Sequence, residues 1–228
     1  MNILKNFTII VPVFDEFENL SEFIELVKKE GAKDLFYFVD NGSFDSRIED
    51  SLRKNNLNFS RTENNLGFGG GIKFGISKIN SDFISWMPCN LKVSPSDAIG
   101  FINKIGEPNS TYLYKALRHE RPKVDFLKTL LFSIIQSILL RTFINDSGGT
   151  PTAVHKSFFN KIDFFPNDYT FETYVLIKGK MLSKIVRIKV KYGLRKYGKS
   201  KWQNGLLSEI NFIINLYKKS KNWTFDNY

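Results

Sequence analysis

Along the first half of the chain, apolar positions repeat a two-part pattern: a short unbroken run, then a run at helical spacing. Phe7–Val13 is continuously apolar apart from Thr8 and Pro12, which suits a strand buried on both faces. Leu20, Phe23, Ile24 and Val27 then recur at intervals of three and four, and Gly31 marks the end of that helix. Leu35–Val39 predicts a second strand, stopped by Asp40-Asn41-Gly42-Ser43, with a polar helix around 45–55 behind it. A third strand at 57–61 leads through "NNLGFGGG" into a helix over about 70–79, and a fourth at 82–87 opens into "PCNLKVSP". There Ser94 stands at an N-cap, Pro95 at the first helical position and Asp97 two residues on, so a helix follows to about Ile105. Thr111–Leu117 reads as a fifth strand. Strand–helix units in succession predict an α/β fold, an open, mainly parallel sheet flanked by helices. In such sheets ligands sit beyond the carboxyl ends of the strands.

The second half is patterned differently. Residues 126–144 form a strongly apolar amphipathic helix, and another helix is expected near 169–179. Val186, Ile188, Val190 and Tyr192 alternate with Arg187, Lys189 and Lys191, which predicts a strand with a cationic exposed face. A last helix over 203–219 gathers Leu206, Leu207, Ile210, Ile213, Ile214 and Tyr217 on one side. The pattern divides the chain into a domain over 1–202 and a basic amphipathic helix and tail over 203–228. The longest uncharged apolar segment, Thr129–Leu140, is 12 residues, well short of the ~20 that cross a bilayer. The first residues lack a signal-peptide layout, since Pro12 and Asp15-Glu16 break the apolar stretch. A soluble or peripheral, cytoplasmic protein is the expectation.

Charge changes this picture more than composition does. The net charge is +10, yet residues 1–177 carry 20 basic and 21 acidic side chains, against 13 basic and two acidic over 178–228. A basic end suits phosphorylated ligands or an anionic membrane, unless it is only a solvated face. Nucleic acid is disfavoured, because aromatics interleave with the basic residues only at Tyr192, Tyr197 and Trp202. The single Cys89 excludes an intrachain disulfide and a zinc cluster.

Two glycine motifs mislead. "GLRKYGKS" at 193–200 fits the P-loop pattern, but the strand before it alternates with cations and no later strand carries a magnesium-binding Asp. Its glycines, Arg195, Lys199 and Ser200 still suit a phosphate. "GFGGG" at 67–71 follows the third strand rather than the first and has Ile72 where a dinucleotide fingerprint needs glycine.

Taken together, the loops resemble family 2 glycosyltransferases of the GT-A fold. "TIIVPVFDEFENL" (8–20), "FVDNGSFDS" (38–46) and "NNLGFGGGIKFGI" (64–76) are similar to that family's P-x-[YF]-N-E, V-D-[DN]-G-S-x-D and N-x-G-x-[GA] segments. "DSGGTPTAVHKSFF" (146–159) and "RKYGKSKW" (195–202) resemble its polyprenyl-phosphate branch, the relatives of dolichyl-phosphate mannose synthase. The resemblance implies an inverting transfer of sugar from a nucleotide-sugar to a polyprenyl phosphate at the inner membrane face. It implies a nucleotide-sugar site around Pro12, Phe14, Glu16, Asp40 and Gly67, and acceptor-phosphate contacts from Arg118, Arg195, Lys199 and Ser200. It also places a carboxylate, Glu172, near the sugar; a glutamate on a helix surface is the competing reading. Asp45 is expected to cap a helix, and His155 to pack or face solvent rather than touch the acceptor.

The family's D-x-D motif holds Mg²⁺ or Mn²⁺ on the diphosphate. Here that position falls on Pro88-Cys89-Asn90, a triplet that should bind metal poorly, so no metal ligand is assigned. Lys92, two residues on, is then expected to supply part of the missing charge, with Asn90 orienting a phosphate or hydroxyl. Transfer to a glycan hydroxyl, with Glu172 as base, is a second reading, and a non-catalytic nucleotide-sugar binder a third. The apolar faces of the 126–144 and final helices suit a membrane surface, core packing or a homodimer.

Overall fold

The structure of the chain, a computed structural model, describes residues 3–120, 122–162, 165–198, 206–221 and 223. Seven strands form one sheet in the order β3-β2-β1-β4-β6-β5-β7. They are β1 (Phe7–Val13), β2 (Phe36–Asp40), β3 (Asn58–Arg61), β4 (Phe83–Trp86), β5 (Tyr112–His119), β6 (Thr152–His155) and β7 (Lys184–Lys191). All run parallel except β6, which is antiparallel to both β4 and β5. The expected mainly parallel α/β sheet is present.

The helices are α1 (Phe17–Lys29), α2 (Arg47–Lys54), α3 (Gly67–Ile76), α4 (Pro95–Ile105), α5 (Lys123–Leu139), α6 (Thr170–Leu182) and α7 (Leu206–Ser220). Alternation along β1 and β2 sorts side chains to two cores. Ile9, Val11, Phe36 and Phe38 pack with Phe23 of α1 and Phe101 of α4, while Ile10 and Val39 face Trp86, Phe171 and Tyr174 on the other side. Ser94 caps α4 as expected, accepting the Asp97 N–H at 3.0 Å with Pro95 at N1. Asp45 accepts the Arg47 N–H at 3.1 Å at the start of α2.

Three local expectations shift. Helix α3 begins at Gly67 rather than near 70, because the glycines that read as loop form its first turns. They are needed there by closeness: a Cβ on Gly67 would lie 2.4 Å from the Asn167 carbonyl oxygen, and one on Gly69 2.0 Å from that of Pro166. Strand β6 was invisible in the sequence, since Thr-Ala-Val-His offers neither a long apolar run nor alternation. The 126–144 helix starts earlier and ends at Leu139, and it is oriented against simple expectation: it buries Ser133 and Gln136 while exposing Val124, Leu127, Leu131 and Ile138. No described helix is long and apolar enough to cross a membrane.

Candidate functional site

Two cavities adjoin at the carboxyl ends of β1, β2 and β4. The first, about 230 Å³, is lined by Pro12, Phe14, Glu16, Asn41, Asn65, Gly67, Cys89 and Asp168. The second, about 270 Å³, is lined by Asn90, Lys92, Arg118, Glu172, Tyr192, residues of α5 and Phe212 of α7. Phe68, Pro88 and Tyr169 line both, and the Phe68 and Tyr169 rings stack at 4.5 Å.

The first cavity is built from local turn chemistry. Asn41 follows β2 and is spent on its neighbours: its amide donates to Asn65 Oδ1 (3.2 Å) and the Gly67 carbonyl (3.0 Å), and its oxygen accepts the Leu66 N–H (3.1 Å). This ties the loop after β3 to β2 and fixes the N-terminus of α3. Asp40, expected to reach the nucleotide, is fully buried instead: it accepts the Ser43 N–H (3.0 Å), pairs with Arg61 (3.0 Å) and lines neither cavity. The cavity-facing residue is its neighbour Asn41.

The D-x-D position does not suit a divalent cation. Pro88 has no donor atom, and Asn90 Oδ1 already accepts the Lys92 N–H at 3.2 Å. Cys89 is buried; burial, with Glu16 adding to it and Arg195 opposing, pushes its thiol well above the ordinary value and keeps it protonated. The nearby carboxylates are engaged, Glu16 by Arg195 at 2.7 Å and Asp168 by Lys219. Among the described residues no three His, Cys, Asp or Glu side chains gather as metal ligands.

What stands there is cationic. The Lys92 ammonium, in the wall of the second cavity, has no ion pair or hydrogen bond among the described residues; its near neighbour is the Tyr192 ring, 5.8 Å to the centroid. Burial, then repulsion from Arg118 and Arg195, lowers its pKa from the ordinary 10.5 against an opposing pull from Asp125. Arg118 is held by Asp146, which accepts from its backbone N–H at 3.2 Å and from its Nε at 2.6 Å. Burial pulls the Arg118 guanidinium down, but Asp146 and Tyr192 outweigh it and hold it above its ordinary value. Arg195 lines neither cavity; it bridges Glu16 to the Tyr197 carbonyl at 2.8 Å. Lys199 and Ser200 lie outside the described residues.

Glu172 is only 4% exposed, which overturns the helix-surface reading. Oε1 accepts from Trp86 Nε1 and Oε2 from Lys115 Nζ, both at 2.7 Å, with Thr152 Oγ1 at 3.4 Å. Each of its carboxylate oxygens thus already has a partner, in the wall of the second cavity. Lys115, Trp86, Asp146 and Tyr192 carried no local signal for these roles; their partners lie 28 to 100 residues away. His155 packs edge-on to Phe83 at 5.1 Å, outside both cavities.

The fold recurs among solved structures. Glucosyl-3-phosphoglycerate synthase from Mycobacterium tuberculosis, in complex with Mg²⁺ and uridine diphosphate, superposes with a TM-score of 0.73 at 13% identity, over 99% of this chain and 85% of that one. The same enzyme with phosphoglyceric acid gives 0.71 at 14% identity over 99% and 86%. A structure described only as a mycobacterial protein gives 0.72 at 15% identity over 95% and 74%. A search of curated protein sequences finds no match. The sequence pattern of Glycosyl transferase family 2 matches residues 8–165, and the chain belongs to that family of glycosyltransferases.

Proposed function

We propose that this glycosyltransferase moves a sugar from a nucleoside diphosphate-sugar in the first cavity to a polyprenyl phosphate in the second, without a divalent metal. The observation that carries the reading is Lys92: a half-buried cation whose ammonium makes no ion pair or hydrogen bond among the described residues, at the wall where the diphosphate would meet the acceptor. Preorganised positive charge stabilises a leaving diphosphate as its negative charge grows. The acceptor phosphate oxygen attacks the anomeric carbon, that new bond forms as the bond to the donor's β-phosphate breaks, and the configuration inverts. An anionic acceptor needs no base, and Glu172, although it lines this cavity, already holds Trp86 and Lys115 on its two oxygens. This weakens the glycan-hydroxyl reading.

The lipid part rests on α5. Its Lys128, Thr129, Phe132 and Ser133 line the second cavity, while Val124, Leu127, Leu131 and Ile138 of the same helix face outward. Lys123 and Lys128 on α5 and Lys218, Lys219 and Lys221 at the end of α7 add positive charge suited to an anionic inner leaflet. A second reading follows from the structural neighbour, whose complexes contain phosphoglyceric acid: a small soluble phosphorylated acceptor in the same cavity.

The test is a binding and turnover panel of UDP-, GDP-, CMP- and dTDP-sugars, with Mg²⁺ or with EDTA. Polyprenyl phosphate in vesicles and phosphoglyceric acid serve as acceptors. Turnover with polyprenyl phosphate that ignores EDTA is expected. Turnover only with phosphoglyceric acid would replace the lipid reading, binding without turnover would leave a nucleotide-sugar-binding protein, and strict metal dependence would remove the role given to Lys92.

A further inference from the structure

Tyr192 sits where two cations meet, and its backbone is fixed from both sides. Its N–H donates to the His119 carbonyl at 3.1 Å, extending the β5–β7 pairing by one residue, and the next N–H, of Gly193, donates to the Lys92 carbonyl at 2.7 Å. One dipeptide therefore stitches the end of β5 to the loop that carries Lys92. The ring then lies with Arg118 Cζ 5.0 Å and Lys92 Nζ 5.8 Å from its centroid, within the range of cation–π attraction. All three side chains line the second cavity.

Two like charges in one partly dry cavity repel. Arg118 is paired with Asp146, whereas the Lys92 ammonium feels Asp125 but forms no ion pair among the described residues, and the aromatic face offers it further negative potential. We infer that Tyr192 is a positioning residue: its ring contacts both Lys92 and Arg118 and holds the two cations in the wall of one cavity, toward one phosphate group. This rests on the proposed function and names the ligand chemistry of its second cavity, a phosphate bearing about two charges. The terminal phosphate of the departing nucleoside diphosphate and the acceptor's phosphate share that chemistry, and the experiment separates them.

Other charged groups bear on Lys92: Asp125 of α5, Arg118 of β5 and Arg195 act on it, and Lys128 of α5 and Glu172 of α6 line the same cavity. Removing the ring takes away an attraction and leaves the Arg118 and Arg195 repulsion. The Lys92 ammonium should then lose its proton at lower pH.

The experiment titrates wild type, Tyr192→Leu, Tyr192→Phe, Lys92→Met and the Tyr192→Leu/Lys92→Met pair, in EDTA, across neutral to alkaline pH. The probes are whichever of UDP, GDP, CDP or dTDP binds wild type, and methyl phosphate for the acceptor head. Tyr192→Leu should weaken phosphate binding roughly tenfold and move its alkaline limit to lower pH, with Tyr192→Phe restoring most of the affinity. The pair should lose less than the sum of the two single losses, because the ring acts in part through Lys92. Loss confined to the nucleotide assigns the site to the donor, and loss confined to methyl phosphate assigns it to the acceptor. If Lys92→Met binds as wild type does, the functional reading fails. If Lys92→Met weakens binding and Tyr192→Leu does not, the role of Tyr192 fails alone. If Tyr192→Phe is as weak as Tyr192→Leu, the hydroxyl acts and the ring does not. Tyr192→Gln repeats the test if the leucine variant does not fold.

Discussion

Helices α1 and α5 are both amphipathic, and they face the fold with opposite stripes. Helix α1 buries Leu20, Phe23, Ile24 and Val27 against the sheet and turns its charges outward. Helix α5 turns Ser133 and Gln136 inward, where Gln136 donates to Thr173 Oγ1 at 3.1 Å and accepts from Ser147 at 2.8 Å, and leaves its leucines in solvent. The difference lies in what each covers. Under α1 is an apolar sheet face, whereas under α5 stand hydrogen-bonding groups, Thr173, Ser147 and the Asp146 N–H, so burying apolar side chains there would orphan them. Hydrophobic periodicity reports that a helix has two faces; the partner decides which one turns in.

The two regions should therefore fail differently when cut. On the α1 side, Phe23→Ala leaves a cavity costing about 3–5 kcal/mol, and no second substitution nearby recovers it. On the α5 side, Lys115→Met strands the Glu172 carboxylate and should cost about 3–5 kcal/mol by urea unfolding. Adding Glu172→Gln should return much of that, since the stranded charge is the cost. Failure of the second change to recover stability would mean that the Lys115 stem, rather than its charge, holds the region together.

Smaller in energy and sharper in meaning is Lys92→Ala. Losing a charge-assisted contact of about 1.5–3 kcal/mol should lower kcat/KM some 10–150-fold with little change in stability. The pH profile gives the same group a sign. Its pKa is lowered, so anion binding is intact below that value and falls as pH rises through it. An alkaline limit below the ordinary lysine value of 10.5 is expected in the wild type and should disappear in Lys92→Ala. Unchanged turnover in that variant would show that the cation only faces solvent.

The same contrast governs how much of the molecule was legible. The α1 side is written locally: unbroken apolar strands, three-and-four spacing, the Ser94 cap and turn residues each act within a few positions. The first cavity follows suit, since Asn41, Asn65 and Gly67 lie on consecutive loops of matching motifs, although the motif pointed at Asp40, the member that turns into the fold to meet Arg61. The second cavity is written at long range. Trp86 meets Glu172 across 86 residues and Lys115 meets it across 57, and nothing in the neighbourhood of any of the three announces the pairing. Lys92, which lines that cavity, could be singled out for a different reason: it stands beside a motif position that lacks carboxylates.

The smallest stability effect belongs to the exposed face of α5, and there the comparison is most open to being broken. If Leu127 and Leu131 serve a bilayer rather than the fold, Leu127→Ser with Leu131→Ser should change unfolding free energy by only about 0.5 kcal/mol per site. The same pair should sharply reduce co-sedimentation with anionic vesicles, and raising salt should weaken what binding remains, because the basic residues near these helices contribute through a screened attraction. On α1 the parallel change Phe23→Ser would unfold the protein. A double variant that lost stability instead of vesicle binding would mean that α5 packs its leucines against protein, either a second copy or another part of the chain. The inside-out stripe would then be an interface, and the lipid acceptor would lose its main support.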